Sequence, residues 1–222
     1  MRVWVYIDGF NLYNGIVKKT RGKWLDLLGF SRALLPQDGI ERIKYFTARV
    51  QARENDPNQV YRQLAYWRAL RTIPCLEIIQ GHFLTQKKWM PLAASVDDIR
   101  GRMERGQEVL GQRPKMVEVY RSEEKGTDVN LATHLVHDAH LGQFEGAVII
   151  SNDSDLCEAV RIVKGELKRT VGVLTPHPES PSVELKKAAS FFRSIHPGKV
   201  ITCQFPDTLT DSKGPFSKPR EW

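Results

Sequence analysis

Cysteine is scarce in this chain. Cys75, Cys157 and Cys203 are odd in number and far apart, so neither a disulfide framework nor a paired-cysteine zinc site follows. A reducing compartment is the natural reading, and a cytoplasmic location is expected. Long hydrophobic runs are also missing. The longest span about five residues, against the roughly 20 that a membrane helix needs, so no membrane association is expected. Met1–Asp8 has one basic residue before a run too short for a signal peptide, and it reads as a first strand. Several chemical motifs are absent. Gly15 and Gly22-Lys23 have the wrong separation for a phosphate-binding loop, and no Ser or Thr follows the lysine. No Gly-x-Gly-x-x-Gly follows a strand and no Gly-x-Ser-x-Gly elbow occurs, which argues against dinucleotide enzymes and α/β-hydrolases. An aspartyl-nucleophile phosphatase would need a second acid two positions after Asp8, where Phe10 stands. Internal repeats and low-complexity blocks are absent too.

What is present is ordinary globular material. The chain has 222 residues, 41% hydrophobic and 27% charged, which suits one domain with an appendage. Lys and Arg number 33 against 26 Asp and Glu, a formal net charge of +7. That excess permits a polyanionic partner without requiring one.

Val3–Ile7, Ala147–Ile150 and Val171–Leu174 are continuous β-branched runs, as in parallel strands covered on both faces. Ile40–Val50 and Leu76–Ile79 are further strand candidates. Helical spacing occurs over Pro57–Arg71, Thr127–Leu141, Asp155–Leu167 and Ser182–Ala188. This alternation predicts an α/β fold with a mostly parallel sheet. His82–Lys115 breaks the rhythm and reads as a partly ordered insertion with a helix near Val96–Leu110. The segment from Pro206 onward reads as a surface tail that docks weakly through Trp222.

Three acidic segments stand where a site belongs. Asp8 follows the first buried run, and Asp153 and Asp155 follow the run ending at Ile150. In open α/β sheets, ligands bind beyond the carboxyl ends of the strands. Asp128 falls in the first turn of a predicted helix, after Glu124-Lys125-Gly126-Thr127. Four converging carboxylates stay ionised together only around a cation, and hard oxygen donors suit Mg²⁺ or Mn²⁺. Such ions characteristically act on phosphates. Gly9 would let a substrate approach Asp8; Asn11 and Asn130 could hold a phosphate by neutral hydrogen bonds, and Lys125 could neutralise it. Each residue also has a plainer explanation as a helix cap or turn former.

Taken together, Tyr6-Ile7-Asp8-Gly9-Phe10-Asn11-Leu12-Tyr13, Glu124 to Ala132 and Ile149-Ile150-Ser151-Asn152-Asp153-Ser154-Asp155-Leu156 resemble the NYN domain family, a branch of the PIN-like nuclease superfamily. The resemblance covers roughly residues 1–195, leaving 196–222 as a C-terminal tail. It implies a PIN-like three-layer fold, a central mostly parallel sheet flanked by helices. It further implies a metal-dependent ribonuclease with Asp8, Asp128, Asp153 and Asp155 as the acidic quartet and Asn11 as its accompanying asparagine. Lys125, Asn130 and Ser151 complete the expected substrate-binding set. RNA, in single-stranded form, is the expected partner, and a homodimer is compatible with the sequence. The alternatives are a non-cleaving RNA-binding module and, last, a toxin-like nuclease.

Other candidates are weaker. His134, His137 and His140 are spaced by three, which rotates successive rings about 60° apart on a helix and disfavours a shared metal. Asp138 reads as a solvated residue near a helix end. Lys87-Lys88-Trp89 and Tyr120-Arg121 mix charge with aromatics, as single-strand binders do and as plain solvated hairpins also do.

Overall fold

The computed structural model describes residues 1–52 and 56–222. They divide into two compact units, residues 1–82 with 125–222, and residues 83–124.

The larger unit is built on parallel strands. β1 (Arg2–Asp8) lies between β2 (Gly39–Ala48) and β5 (Gly146–Ile150), parallel to both. β2 continues to β3 (Leu76–Pro91), and β5 to β6 (Thr170–Thr175) and β7 (Phe191–Ser194), again in parallel. The order is β3-β2-β1-β5-β6-β7. The expected runs become strands because both sheet faces are covered and alternate residues enter different cores. Val3, Val5 and Ile7 of β1 join one core, while Tyr6 joins the other. Val148 and Ile150 of β5 likewise oppose Ala147 and Ile149.

The first core lies under α1 (Gly9–Gly15), α2 (Leu27–Leu34), α3 (Gln59–Leu70) and α8 (Pro197–Thr202). The second lies under α5 (Thr127–His140), α6 (Cys157–Arg161) and α7 (Val183–Ala188). The helix expected over Asp155–Leu167 is less regular. A 3₁₀ turn (Ser154–Leu156), α6 and a π turn (Ile162–Glu166) follow one another. The π turn places Lys164, whose Nζ donates to the carbonyls of Ala188 and Ala189 at 3.1 and 2.8 Å.

The tail is docked far more firmly than its composition suggests. β8 (Thr208–Asp211) and β9 (Gly214–Ser217) form an antiparallel hairpin. Arg68 of α3 donates two 2.7 Å bonds to Asp211, and its guanidinium lies 4.1 Å from the Phe216 ring centre. Trp222 packs edge-on against Trp24 and Tyr66, and the Trp24 indole donates to the Pro206 carbonyl. Arg68 was not legible as a tail anchor because its partners lie more than 140 positions away.

In the smaller unit, β3 runs on past the expected end at Ile79 and is hydrogen-bonded to β4 (Met116–Lys125). α4 (Ala93–Glu104) replaces the helix expected near Val96–Leu110; it ends before Gly106, whose φ of +71° suits glycine. Lys87 pairs with Glu118 and Arg121 with Glu123. Trp89 and Tyr120 are exposed.

Among the described residues no helix is long and apolar enough to cross a membrane.

Candidate active site

Asp8 is the last residue of β1 and the N-cap of α1. Its Oδ1 accepts the backbone N–H of Asn11 at 2.9 Å, satisfying one of the donors a helix start leaves open. The capping explanation is therefore correct, but it uses only one oxygen. Oδ2 accepts the hydroxyl of Ser151 at 3.0 Å, from the residue just beyond β5. The parallel register pairs Ile7 with Ile150, so the next residue on each strand meets its neighbour.

Ser151 links the two acidic segments. It is fully buried, and its Oγ also accepts the backbone N–H of Asp153 at 3.1 Å. The Asp8 carboxylate and the Asp153 backbone thus lie on either side of one oxygen atom. Asp153 in turn caps the following 3₁₀ turn by accepting the N–H of Asp155 at 3.0 Å. Asn11 adds a second link, its Oδ1 accepting the N–H of Asn152 at 3.0 Å.

Asp8 is 4% exposed, and burial pushes its carboxyl up to about 7. The bond from the Asn11 amide opposes this, the charge of Asp128 adds to it, the Ser151 hydroxyl opposes it and the charge of Asp153 adds to it. Asp128 stands half-buried in the first turn of α5, behind Gly126, whose φ of +94° starts that helix. Asp155 is exposed; its charge acts with that of Asp153 on the buried Cys157 thiol, which is raised chiefly by burial. Lys125 is exposed at the end of β4, and Asn130 is half-buried in the first turns of α5.

Two expectations are corrected by this geometry. Gly9 does not open space for a substrate. A Cβ there would come within 2.7 Å of the Tyr45 ring and 2.8 Å of the Phe46 carbonyl, so glycine lets α1 pack on β2. Asp138 is not solvated. It is 5% exposed and accepts the Lys44 ammonium at 2.6 Å and the Tyr6 hydroxyl at 2.7 Å. Burial and then Asp138 raise the Tyr6 hydroxyl well above its ordinary range. Lys44 also donates to His134 Nδ1 at 3.1 Å, which puts the ring proton on Nε2. Burial and the Lys44 charge lower the His134 imidazole. Lys44 belongs to the buried half of β2, Ile43–Ala48, while Arg42, just before that half, is exposed, and the alternation of Arg42 and Lys44 with apolar residues does not separate the two.

Among the described residues, no group of three or more His, Cys, Asp or Glu side chains is arranged to hold a metal ion. The donor set around Asp8 therefore does not fit a closed protein cage. It does fit an ion of the Mg²⁺ type, which keeps several waters and needs only one or two carboxylates. A buried carboxyl near neutrality, subject to two further negative charges, is electrostatically suited to such an ion.

A doubly covered parallel sheet with acidic residues past the ends of β1 and β5 defines an α/β protein whose candidate site lies at the carboxyl ends of those strands. The NYN domain model matches residues 2–196, and the chain belongs to the NYN domain family, within the PIN-like nuclease superfamily. It is 30% identical over 247 residues to a 6-hydroxy-3-succinoylpyridine 3-monooxygenase of Pseudomonas putida, covering all of this chain and 75% of the relative. A solved protein of unknown function from Vibrio parahaemolyticus shares the fold, with a TM-score of 0.53 and 17% identity over 88% of this chain and 93% of the other.

Proposed function

We propose that this protein is a divalent-metal-dependent ribonuclease that hydrolyses phosphodiester bonds. The observation that carries the reading is the buried Asp8 carboxylate, held by Asn11 and Ser151 beside the Asp153 turn and acted on by the charges of Asp128 and Asp153. Family membership supports the same class of chemistry.

Asp8 with one neighbouring carboxylate, Asp153 or Asp128, would hold Mg²⁺ or Mn²⁺ whose remaining positions are filled by water, the other carboxylate and the exposed Asp155 acting through those waters. A divalent ion bound there supplies charge neutralisation at the phosphate and acidifies a water for attack. The Asn11 N–H and Ser151 O–H keep the Asp8 carboxylate oriented with both oxygens engaged, so its ionised form requires no rearrangement. Asn11 acts through its hold on Asn152. Lys125 and Asn130 are the proposed contacts to the substrate backbone.

The test is a cleavage assay on single-stranded and structured RNA with Mn²⁺, with EDTA, and with Asp8→Asn. Mn²⁺-dependent cleavage lost in Asp8→Asn is expected. Metal-independent cleavage that survives the substitution would overturn the mechanism. RNA bound without turnover under any divalent ion would favour a non-cleaving module.

The identity to the pyridine monooxygenase, which extends along the whole chain, favours one second reading, oxygenation of a heteroaromatic ring. It is checked by incubating the protein with 6-hydroxy-3-succinoylpyridine, oxygen and a reductant. Hydroxylated product without RNA cleavage would replace the nuclease reading.

A further inference from the structure

Asn152 stands between Ser151 and Asp153, and its side chain is turned away from both. Its Oδ1 accepts the Thr175 hydroxyl at 2.8 Å and the Ser182 N–H at 2.7 Å, and its Nδ2 donates to the Ser180 carbonyl at 2.9 Å. Thr175 is fully buried at the end of β6, and its Oγ1 also accepts the His177 N–H at 3.1 Å. One amide thus gathers both ends of the segment joining β6 to α7. Its backbone N–H meanwhile reaches Asn11 on α1 at 3.0 Å. Four separate parts of the chain meet at this residue: α1, the end of β5, the end of β6 and the start of α7.

The chemistry of the site demands an amide. The group must accept twice and donate once within a single planar side chain. An aspartate would keep the two acceptor bonds, lose the donor and set its charge against the Ser180 carbonyl. An alanine would lose all three bonds.

We propose that Asn152 is a positioning residue: by clamping residues 175–182 against the acidic turn, it holds Asp153 and Ser151 in register with Asp8. The inference rests on the nuclease reading only for its effect on cleavage. The physical basis is that the turn after β5 has no regular hydrogen-bond ladder. Its placement depends on side-chain bonds, and small displacements of reacting groups cost much rate.

The test is residue-resolved amide hydrogen exchange on the full chain, comparing wild type with Asn152→Ala and Asn152→Asp, alongside Mn²⁺-dependent RNA cleavage. In Asn152→Ala the Ser182 amide should exchange about tenfold faster or more, as expected for a lost hydrogen bond. The Asn11 and Asp153 amides, which bond to Asp8 and Ser151 and do not touch the Asn152 side chain, should also lose protection. Amides of β1 and β5 should be unchanged. Asn152→Asp should retain the Ser182 protection. Cleavage by Asn152→Ala should lose about 10²-fold in kcat with a smaller change in KM.

A change confined to Ser182 would reduce Asn152 to a local clamp and overturn the positioning role. Unchanged exchange throughout would overturn the clamp itself. If wild type cleaves no RNA while the amides respond as described, the nuclease reading fails and the positioning inference stands. Should Asn152→Ala fail to fold, Asn152→Ser carries the test, because its short hydroxyl cannot make the bonds to Thr175, Ser180 and Ser182 together. Loss of protection at Ser182 together with Asn11 and Asp153 would then support the proposal, and wild-type exchange at Asn11 and Asp153 would overturn it.

Discussion

Asp8 carries two loads that oppose each other. It caps α1 and so contributes to folding, yet its charge is buried beside the negative charges of Asp128 and Asp153. Its folded value near 7 lies above that of the unfolded chain, so the native state binds the extra proton between about pH 4 and pH 7. The stability this contributes is fully present below the lower value and is lost as pH rises through the higher one. Metal-free protein should therefore melt at progressively lower temperature from about pH 4 to about pH 7, and Asp8→Asn should flatten that slope. At pH 8 the substitution should stabilise metal-free protein, by at most about 4 kcal/mol, while abolishing cleavage. Calorimetry across pH on both variants checks this; a steeper slope in Asp8→Asn would contradict it. For the same reason Mn²⁺ affinity should rise with pH through about 7, because the ion must displace the proton.

At the scale of elements, α5 is the helix on which the most depends. It brings Asp128 to the site, and it is secured to the sheet by the Lys44–Asp138 pair, with Tyr6 and His134 bonded to the same groups. Lys44 and Asp138 are 6% and 5% exposed, so each needs the other. Asp138→Ala should cost about 3–5 kcal/mol, because it strands a buried ammonium. The double variant Lys44→Met with Asp138→Asn should cost less than the sum of its single changes, since it removes both charges and leaves Tyr6 an acceptor. Urea denaturation of the four proteins tests this; strict additivity would show that the pair is not coupled. Asp138 lies some 80° around the helix from Asp128, but it falls on the stripe of Leu131 and Leu135, seven and three positions before it, and that stripe faces the sheet. His134 is half-buried on α5 and bonds to Lys44 of β2, while His137 and His140 are exposed.

Over the whole molecule, the C-terminal hairpin and Trp222 close the first core. Arg68 holds the Asp211 carboxyl down to about 2, and Trp222 packs edge-on against Trp24 and Tyr66. Trp222→Ala should cost about 2 kcal/mol and lower the melting temperature by about 4–8 °C. An unchanged melting temperature would show that the tail merely rests there. The net charge of +7 bears on RNA at the same scale. If Lys and Arg meet several phosphates, affinity should fall at least about tenfold between roughly 50 and 200 mM NaCl. Gel-shift or filter binding with an Asp8→Asn protein measures it without cleavage, and salt-independent binding would argue against a phosphate-reading surface.

Strand identity was settled by the residues themselves. Unbroken apolar runs such as Val3–Ile7 and Ala147–Ile150 can be buried on both faces only as parallel strands between helical layers, and that requirement is local. The order of acidic segments after those strands was equally local, and it put Asp8 and Asp153 beyond the ends of neighbouring strands. What tertiary structure alone decided is which groups share a hydrogen bond. Ser151 joins Asp8 to Asp153, Asn152 gathers residues 175–182, and Lys44 meets Asp138, because strand order and helix packing bring together residues that lie far apart along the chain. Local propensity cannot encode such pairings, since caps, turns and functional sites draw on the same short polar side chains.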